Sequence, residues 1–207
     1  MTTAAILLAA GASRRMRHPK PLLTWGSRTL IEWQMEQLMA SCVDDIVIVG
    51  GAKCEELRRV LRDGGRHVVF NPRWPQGRAT SLALGARTLL YGMPLPPDEI
   101  VILNVDQPAL TLVVDRLVDE LRKHEHAAVQ PSYIEIDGRE RGGHPVVLAG
   151  GLLPELVHVN DSTLGLRAVL ERHPPHRVRM QDEPCIRLDL DTPDDLAEAR
   201  RIFGLQG

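Results

Sequence analysis

Three places in the sequence combine residue types suited to phosphate chemistry. The first is LLAAGASRRMRHPKPLL, from Leu7 to Leu23. Gly11 allows a close backbone turn, and the small Ala9, Ala10, Ala12 and Ser13 leave the amides approachable. Successive amides in such a turn form an anion-binding concavity. Arg14, Arg15 and Lys20 add full charges that can meet phosphate oxygens. The pattern is neither GxGxxG nor GxxxxGK[ST], so neither the dinucleotide fingerprint nor the P-loop applies. Taken alone, solvation explains these basic residues as well as phosphate does.

The second place is Asp106, which closes the apolar run EIVILNVD and is followed by Gln107 and Pro108. A carboxylate there can hold a hard cation, although turn formation or helix capping would also suit it. The third is DLDTPDD, where Asp189 and Asp191 alternate with leucines and so share one face of an extended segment. These two carboxylates repel unless a cation sits between them, and capping of the following helix is the alternative. Together, a polyphosphate cradle and separated carboxylates are what metal-assisted phosphoryl or nucleotidyl transfer needs. Mg²⁺ prefers oxygen ligands shared with substrate phosphates. One carboxylate from each of two strand ends would hold it, while Arg15 and Lys20 offset charge on the α-phosphate and the leaving pyrophosphate.

Such groups need a scaffold that brings strand ends together. Strand-like and helix-like patterns alternate along the chain. Apolar runs predict strands at Ala4 to Ala10, Asp45 to Gly51, His67 to Asn71, Glu99 to Asp106 and Ala127 to Tyr133. RVRM and IRLDL read as short strands near the end. Helical periodicity predicts helices at Thr29 to Ser41, Glu55 to Arg62, Ala79 to Leu90, Leu112 to Lys123, Leu152 to Val157 and Thr163 to Arg172, the last with Ser162 as its cap. Gly64 and Gly65 would stop the second of these. TPDDLAEARRIFG predicts a closing helix with Pro193 in its first turn. Between Tyr133 and Val147 the pattern predicts a hairpin insertion at the open end of the sheet, followed by a strand from Pro145 to Leu148. The implied fold is a three-layer, Rossmann-like α/β domain with a mainly parallel sheet, spanning 1–207 as one unit. Ligands of such sheets bind beyond the carboxyl ends of the strands, where all three acidic and basic features fall.

The 207 residues are enough for one sizeable core, and the formal net charge of -2 gives no bulk attraction to nucleic acid or an anionic membrane. Cys42, Cys54 and Cys185 are odd in number and lack CxxC spacing, which speaks against a disulfide framework or zinc site and suits a reducing cytoplasm. The apolar start has basic residues after it and none before it, so it reads as a strand and not a signal peptide. No run is long enough to span a membrane.

The segments LAAGASRRM…KPLL, NPRWPQGRATSLALG, NVDQPAL, RGGHPVVL and DLDTPDDL occur in this order over nearly the whole chain. In them the sequence resembles the small nucleotidyltransferases of molybdenum cofactor maturation, and most of all their cytidylyltransferase branch. The resemblance implies a Mg²⁺-dependent nucleotidyltransferase fold that joins a nucleoside monophosphate from CTP, or GTP in the sister branch, to the phosphate of a pterin cofactor. Pyrophosphate is released. It implies that Leu8, Ala9, Ala10 and Gly11 lie along the nucleotide, with Ser13 and Arg14 in the same loop. Arg15 and Lys20 would meet the phosphates, and Gly77 and Ser81 would lie near the base or ribose. Asp106 would be a metal ligand, Asp191 the second acidic position, and His144 would lie on the acceptor side. A molybdoenzyme or its chaperone is the implied recipient. Arg17 departs from the family pattern, which has glycine after the RM pair. The two alanines of LAAG match the cytidylyl branch.

The acceptor pocket is expected between Tyr133 and His144 and in the loop near Asn160. A sugar phosphate, or another phosphorylated small molecule, is an alternative acceptor, and a non-catalytic cofactor chaperone is an alternative role. Trp74 is the tryptophan expected at a ligand, with Trp33 expected in helix packing. His124 and His126 read as partners of a helix dipole, and His173 and His176 as a surface loop.

Overall fold

The strand Thr3–Ala9 (β1) is buried along its whole length and lies at the middle of the sheet. In the computed structural model, which describes residues 1–13, 15–16, 18–61 and 68–205, its two parallel neighbours are Asp45–Gly50 (β4) and Glu99–Asn104 (β6). Burial on both faces explains the unbroken apolar run. Alternate β1 residues serve opposite faces. Ala5, Leu7 and Ala9 join one core, and Ala4, Ile6 and Leu8 join the other.

The first core is covered by helices Leu30–Met39 (α1), Cys54–Leu61 (α2), Thr111–His124 (α4) and Pro193–Ile202 (α7). The second is covered by Arg78–Gly92 (α3), Leu153–Val157 (α5) and Leu166–Arg172 (α6). The layers are therefore helix, sheet, helix, as the alternation requires. Between β1 and α1 the pair Thr24–Trp25 (β2) and Arg28–Thr29 (β3) forms a small separate ribbon.

The remaining strands are Val68–Phe70 (β5), Ala128–Ile134 (β7), Glu140–Gly142 (β8), Val146–Ala149 (β9) and His176–Arg179 (β10). The order across the sheet is β10-β7-β9-β6-β1-β4-β5, with β8 added to β7. All neighbouring pairs are parallel except those made by β9 and β8.

Here the expected insertion divides. The β7–β8 hairpin is peripheral, but β9 runs antiparallel between β6 and β7 and belongs to the sheet itself. Its apolar VVL was legible as a strand, but its direction and neighbours are long-range properties. Two further expectations are corrected. IRLDL forms a 3-10 turn over Pro184–Arg187 followed by extended, unpaired backbone, because Leu190 spends its amide on Asp106 and not on a strand. Ser162 does not cap a helix. Asp161–Thr163 is itself a 3-10 turn, and the helix begins at Leu166 after Gly165, whose φ of 56° breaks the path. His67, Gly64 and Gly65 lie outside the described residues. Among the described residues, no helix is long and apolar enough to cross a membrane.

Candidate active site

A cleft of about 470 Å³ opens beyond the carboxyl ends of β1 and β6. One wall is the backbone from Leu8 to Ser13. Arg15, Lys20 and Pro21 close it on one side, and Trp74, Pro75, Gly77, Arg78 and Ser81 on another, with Asn104, Val105, Asp106 and Asp191 at its floor. The cradle is shaped by close approach. Gly51, after β4, lies against the Ala10 backbone so tightly that an added Cβ would collide with the Ala10 carbonyl. Ser13 has a φ of 51°, and its Oγ accepts the Lys20 amide at 2.8 Å. Its hydroxyl thus ties the loop to the 3-10 turn Lys20–Leu22, which aims the Lys20 side chain inward.

Asp106 is held by the turn after β6. The Val105 amide donates to Leu8 O at 3.0 Å, and the Gln107 amide to Asn104 O at 3.0 Å. The Asp106 carbonyl in turn accepts the Leu190 amide at 2.9 Å, which draws the DLD segment to the cleft. Capping of α7 belongs to other residues. Thr192 Oγ1 accepts from the Asp195 amide, while the Asp195 carboxylate accepts from the amides of Thr192 and Asp191 at 2.7 and 3.1 Å. This capping box leaves the Asp191 side chain free for the cleft, with the carboxyl of the exposed Asp189 beside it.

The charges meet closely. Lys20 Nζ donates to Asp106 Oδ2 at 2.6 Å and to Asp191 Oδ1 at 2.7 Å, and Arg15 Nη2 lies 2.7 Å from Asp191 Oδ2. The Lys20 and Asp106 side chains are only 13% and 17% exposed, so this contact is weakly screened. Burial pulls the Lys20 pKa down, but Asp106 and then Asp191 outweigh it and the net shift is upward. Asp191 is lowered, first by its hydrogen bond from Lys20 and further by Arg15. Asp189 goes the other way. Although the residue is exposed as a whole, desolvation at its carboxyl and the neighbouring Asp106 and Asp191 raise its pKa. Oxygens of Asp106, Asp189 and Asp191 lie within 4.8 Å of one another. Three hard oxygen donors this close together, two of them already sharing an ammonium, fit a divalent cation such as Mg²⁺.

The structure thus gathers Leu8, Ala9, Ala10, Gly11, Ser13, Arg15, Lys20, Gly77, Ser81, Asp106 and Asp191 around one cleft. Arg14 and Arg17 lie outside the described residues. His144 does not line it. Its amide donates to Ile186 O at 2.9 Å, and its buried Nε2 has no partner. Desolvation takes its pKa down to about 4 against the opposing pull of the Leu188 carbonyl and Asp106, so the ring is neutral at pH 7. Gly77, at φ 130°, is a conformation only glycine adopts readily, and a Cβ there would strike the Asp161 carboxylate. Asp161 accepts the Ala79 amide at 3.0 Å and so caps α3 from the loop near Asn160.

Asn71 and Arg78 were not anticipated individually. Buried Asn71 donates from Nδ2 to Thr80 Oγ1 and Ser81 Oγ at 2.9 Å each, fixing the Ser81 hydroxyl at the cleft. Asn71 opens the motif NPRWPQG, the one signal that pointed to it. Trp74 lines the cleft as expected. Trp33 packs with Trp25 and Phe203 at centroid distances of 5.6 and 5.1 Å.

A Rossmann-like sheet with a small-residue loop, cations and carboxylates at its strand ends defines a nucleotidyltransferase. The chain belongs to the family of the MobA-like NTP transferase domain, whose model matches residues 5–178. It is 30% identical over 171 residues to nicotine blue oxidoreductase of Paenarthrobacter nicotinovorans, covering 82% of this chain and 81% of that one. It is 26% identical over 199 residues to molybdenum cofactor cytidylyltransferase of Escherichia coli K12, covering 96% and 95%. The crystal structure of Rv0371c from Mycobacterium tuberculosis H37Rv shares the fold, with a TM-score of 0.77 at 24% identity over 95% of this chain and 96% of that one.

Proposed function

We propose that the enzyme transfers CMP from CTP to the phosphate of a molybdopterin-type acceptor in a Mg²⁺-dependent reaction. The observation that carries this reading is the Lys20 ammonium held between Asp106 and Asp191 at the mouth of the Leu8–Ser13 cradle. The choice of CTP and of a pterin acceptor rests on the ordered motifs, the LAAG alanines and the likeness to the cytidylyltransferase along almost the full length. Asp106 and Asp191, with Asp189 beside them, would hold Mg²⁺. When bound, Mg²⁺ would offset the negative charge of the triphosphate.

The amides of Leu8 to Gly11 would orient the nucleotide, with Ser81 and Gly77 at its base or ribose. An acceptor phosphate oxygen attacks the α-phosphorus in line, and the bond from that phosphorus to the bridging oxygen of pyrophosphate breaks. No side-chain base is needed, because the attacking oxygen is already ionised at neutral pH. Lys20 would exchange its carboxylate partners for phosphate oxygens, and Arg15 would meet the leaving pyrophosphate. His144, neutral and next to the DQP turn, would border the acceptor. A reducing, cytoplasmic setting suits the three free thiols.

The test is pyrophosphate release from each of the four NTPs, with and without molybdopterin-type cofactor. CTP-specific release that requires the pterin is expected. Release with a sugar phosphate in its place would move the reading to that acceptor. No release with any nucleotide, together with turnover of a dye substrate, would replace it with the redox activity named for the Paenarthrobacter relative.

A further inference from the structure

Three histidines meet at the end of the sheet opposite the cleft. Helix α4 ends at His124, Glu125 follows in a left-handed conformation with φ 51°, and this turn brings His126 back beside the helix end. His176 opens β10 and pairs in register with Val129 of β7, which places it next to the same turn. The ring centroids are 5.6 Å apart for His124 and His126, 6.4 Å for His124 and His176, and 4.3 Å for His126 and His176. Residues 124 and 176 are separated widely in sequence, so only the β7–β10 pairing unites them. β6 and β7 run in the same direction, and the cluster lies at their amino ends. The cleft lies at the carboxyl ends, roughly 20 Å away along a six-residue strand.

We propose that His124, His126 and His176 form a surface site for a borderline divalent transition-metal ion of the Zn²⁺ type, separate from the nucleotide cleft. Tetrahedral coordination with metal–nitrogen bonds of about 2 Å places imidazole centroids about 5 Å apart. The three observed separations bracket that value. The His126 and His176 rings stack at an interplanar angle of 12°, so their lone pairs do not yet converge. Among the described residues only the cleft carboxylates already bring three ligand atoms within 4.8 Å of one another, so the histidine site would assemble by induced fit, with the exposed His176 ring turning toward the other two when the ion binds. Glu120, one turn before His124, supplies a carboxylate 3.7 Å from His124 Nε2 and is the natural fourth group. The other basic groups nearby are engaged: Lys123 with Asp119 and Arg122 with Glu99. Imidazole donors select Zn²⁺, Ni²⁺ or Cu²⁺ over Mg²⁺, which keeps this site distinct from the cleft carboxylates in chemistry as well as place. A bound ion would clip the end of α4 to the edge strand β10.

The test is Zn²⁺ titration by calorimetry in an Asp106→Asn/Asp191→Asn background, which removes the competing carboxylates. One equivalent of Zn²⁺ is expected to bind, with affinity falling about tenfold or more in each of His126→Ala and His176→Ala. Cu²⁺ should give nitrogen hyperfine structure in its EPR spectrum, reduced in the same variants. His176 is exposed and His126 half-buried, so thermal unfolding of the two variants without metal should change little, and Zn²⁺ should raise the melting temperature only where the three histidines are intact. Zn²⁺ affinity in His126→Ala and His176→Ala equal to that of the background protein would overturn the site. His176→Ala in the otherwise native enzyme should leave nucleotide turnover unchanged, so this result is independent of the proposed reaction.

Discussion

Two charge clusters sit at opposite ends of the same central strands, and they are built differently. At the amino end, Glu99 is 2% exposed and receives Arg122 through Nε and Nη2 at 2.6 and 2.7 Å. Thr3 Oγ1 donates to the same carboxylate at 2.5 Å and accepts from Arg122 at 2.9 Å. One anion meets one cation, both carboxylate oxygens accept hydrogen bonds, and the group is closed. At the carboxyl end, Asp106 and Asp191 pair with Lys20 and Arg15 at the edge of an open cleft, with the Asp189 carboxylate beside them. The first arrangement is complete without a ligand. The second has an excess of negative charge beside a cradle of backbone amides, and in the proposed reaction a cation and a phosphate chain arriving together would balance it.

Substitutions at the two ends should therefore fail in different ways. The largest effect is expected from Asp106→Ala, with nucleotide turnover falling by about a thousandfold or more while far-UV circular dichroism is unchanged. Turnover within tenfold of the native rate would remove Asp106 from the mechanism. Lys20→Met should reduce kcat/KM by about a hundredfold. It should also tighten Mn²⁺ binding in the absence of nucleotide, because the carboxylates lose their internal counter-ion, and weaker Mn²⁺ binding in that variant would contradict the balance described above.

At the other end, Arg122→Ala should cost about 3 kcal/mol in urea unfolding by stranding the buried Glu99 charge. Turnover per folded molecule should stay close to native, and a loss of activity as large as that of Lys20→Met would mean the two ends are coupled. The last effect concerns His144 and is confined to acid pH. Its folded pKa of about 4 lies below its ordinary 6.5, so the unfolded chain binds the extra proton first. Stability is then full above pH 6.5 and declines as the pH falls toward 4, by up to about 3 kcal/mol. Urea midpoints measured across that range in the native protein and in His144→Gln should converge as the pH falls, and a parallel pair of curves would show that His144 is not the group responsible.

Much of this was legible from short-range pattern. The apolar run of β1, the 3.6-residue periodicity of α4 and the glycine after β1 are local signals, and β1 and α4 appeared within a residue of where pattern placed them. The cradle residues and Asp106 could be picked out because small side chains after a strand, and a carboxylate at a strand tip, are locally unusual. What pattern could not resolve was a choice between partners. The sequence TPDD allows Asp189 and Asp191 to cap α7 just as well as to face a ligand. That choice was made by Thr192 and Asp195, which satisfy the helix end, and by the Leu190 amide bonding to Asp106 O across a long loop. The same limit hid the place of β9, whose hydrophobic pattern suits an edge or a central strand equally.

The sequence by itself determined the alternation of strands and helices, the fold class and the cleft loop, because these depend on side-chain periodicity and on which residues permit a turn. The tertiary structure alone decided which charges face one another. Lys20 is 86 residues from Asp106 and 171 from Asp191, and His176 is equally remote from His124 in the sense that matters, since only strand pairing joins them. Coulomb and ligand-field interactions act over a few ångströms of space, and separation along the chain carries no information about that distance until the sheet has set it.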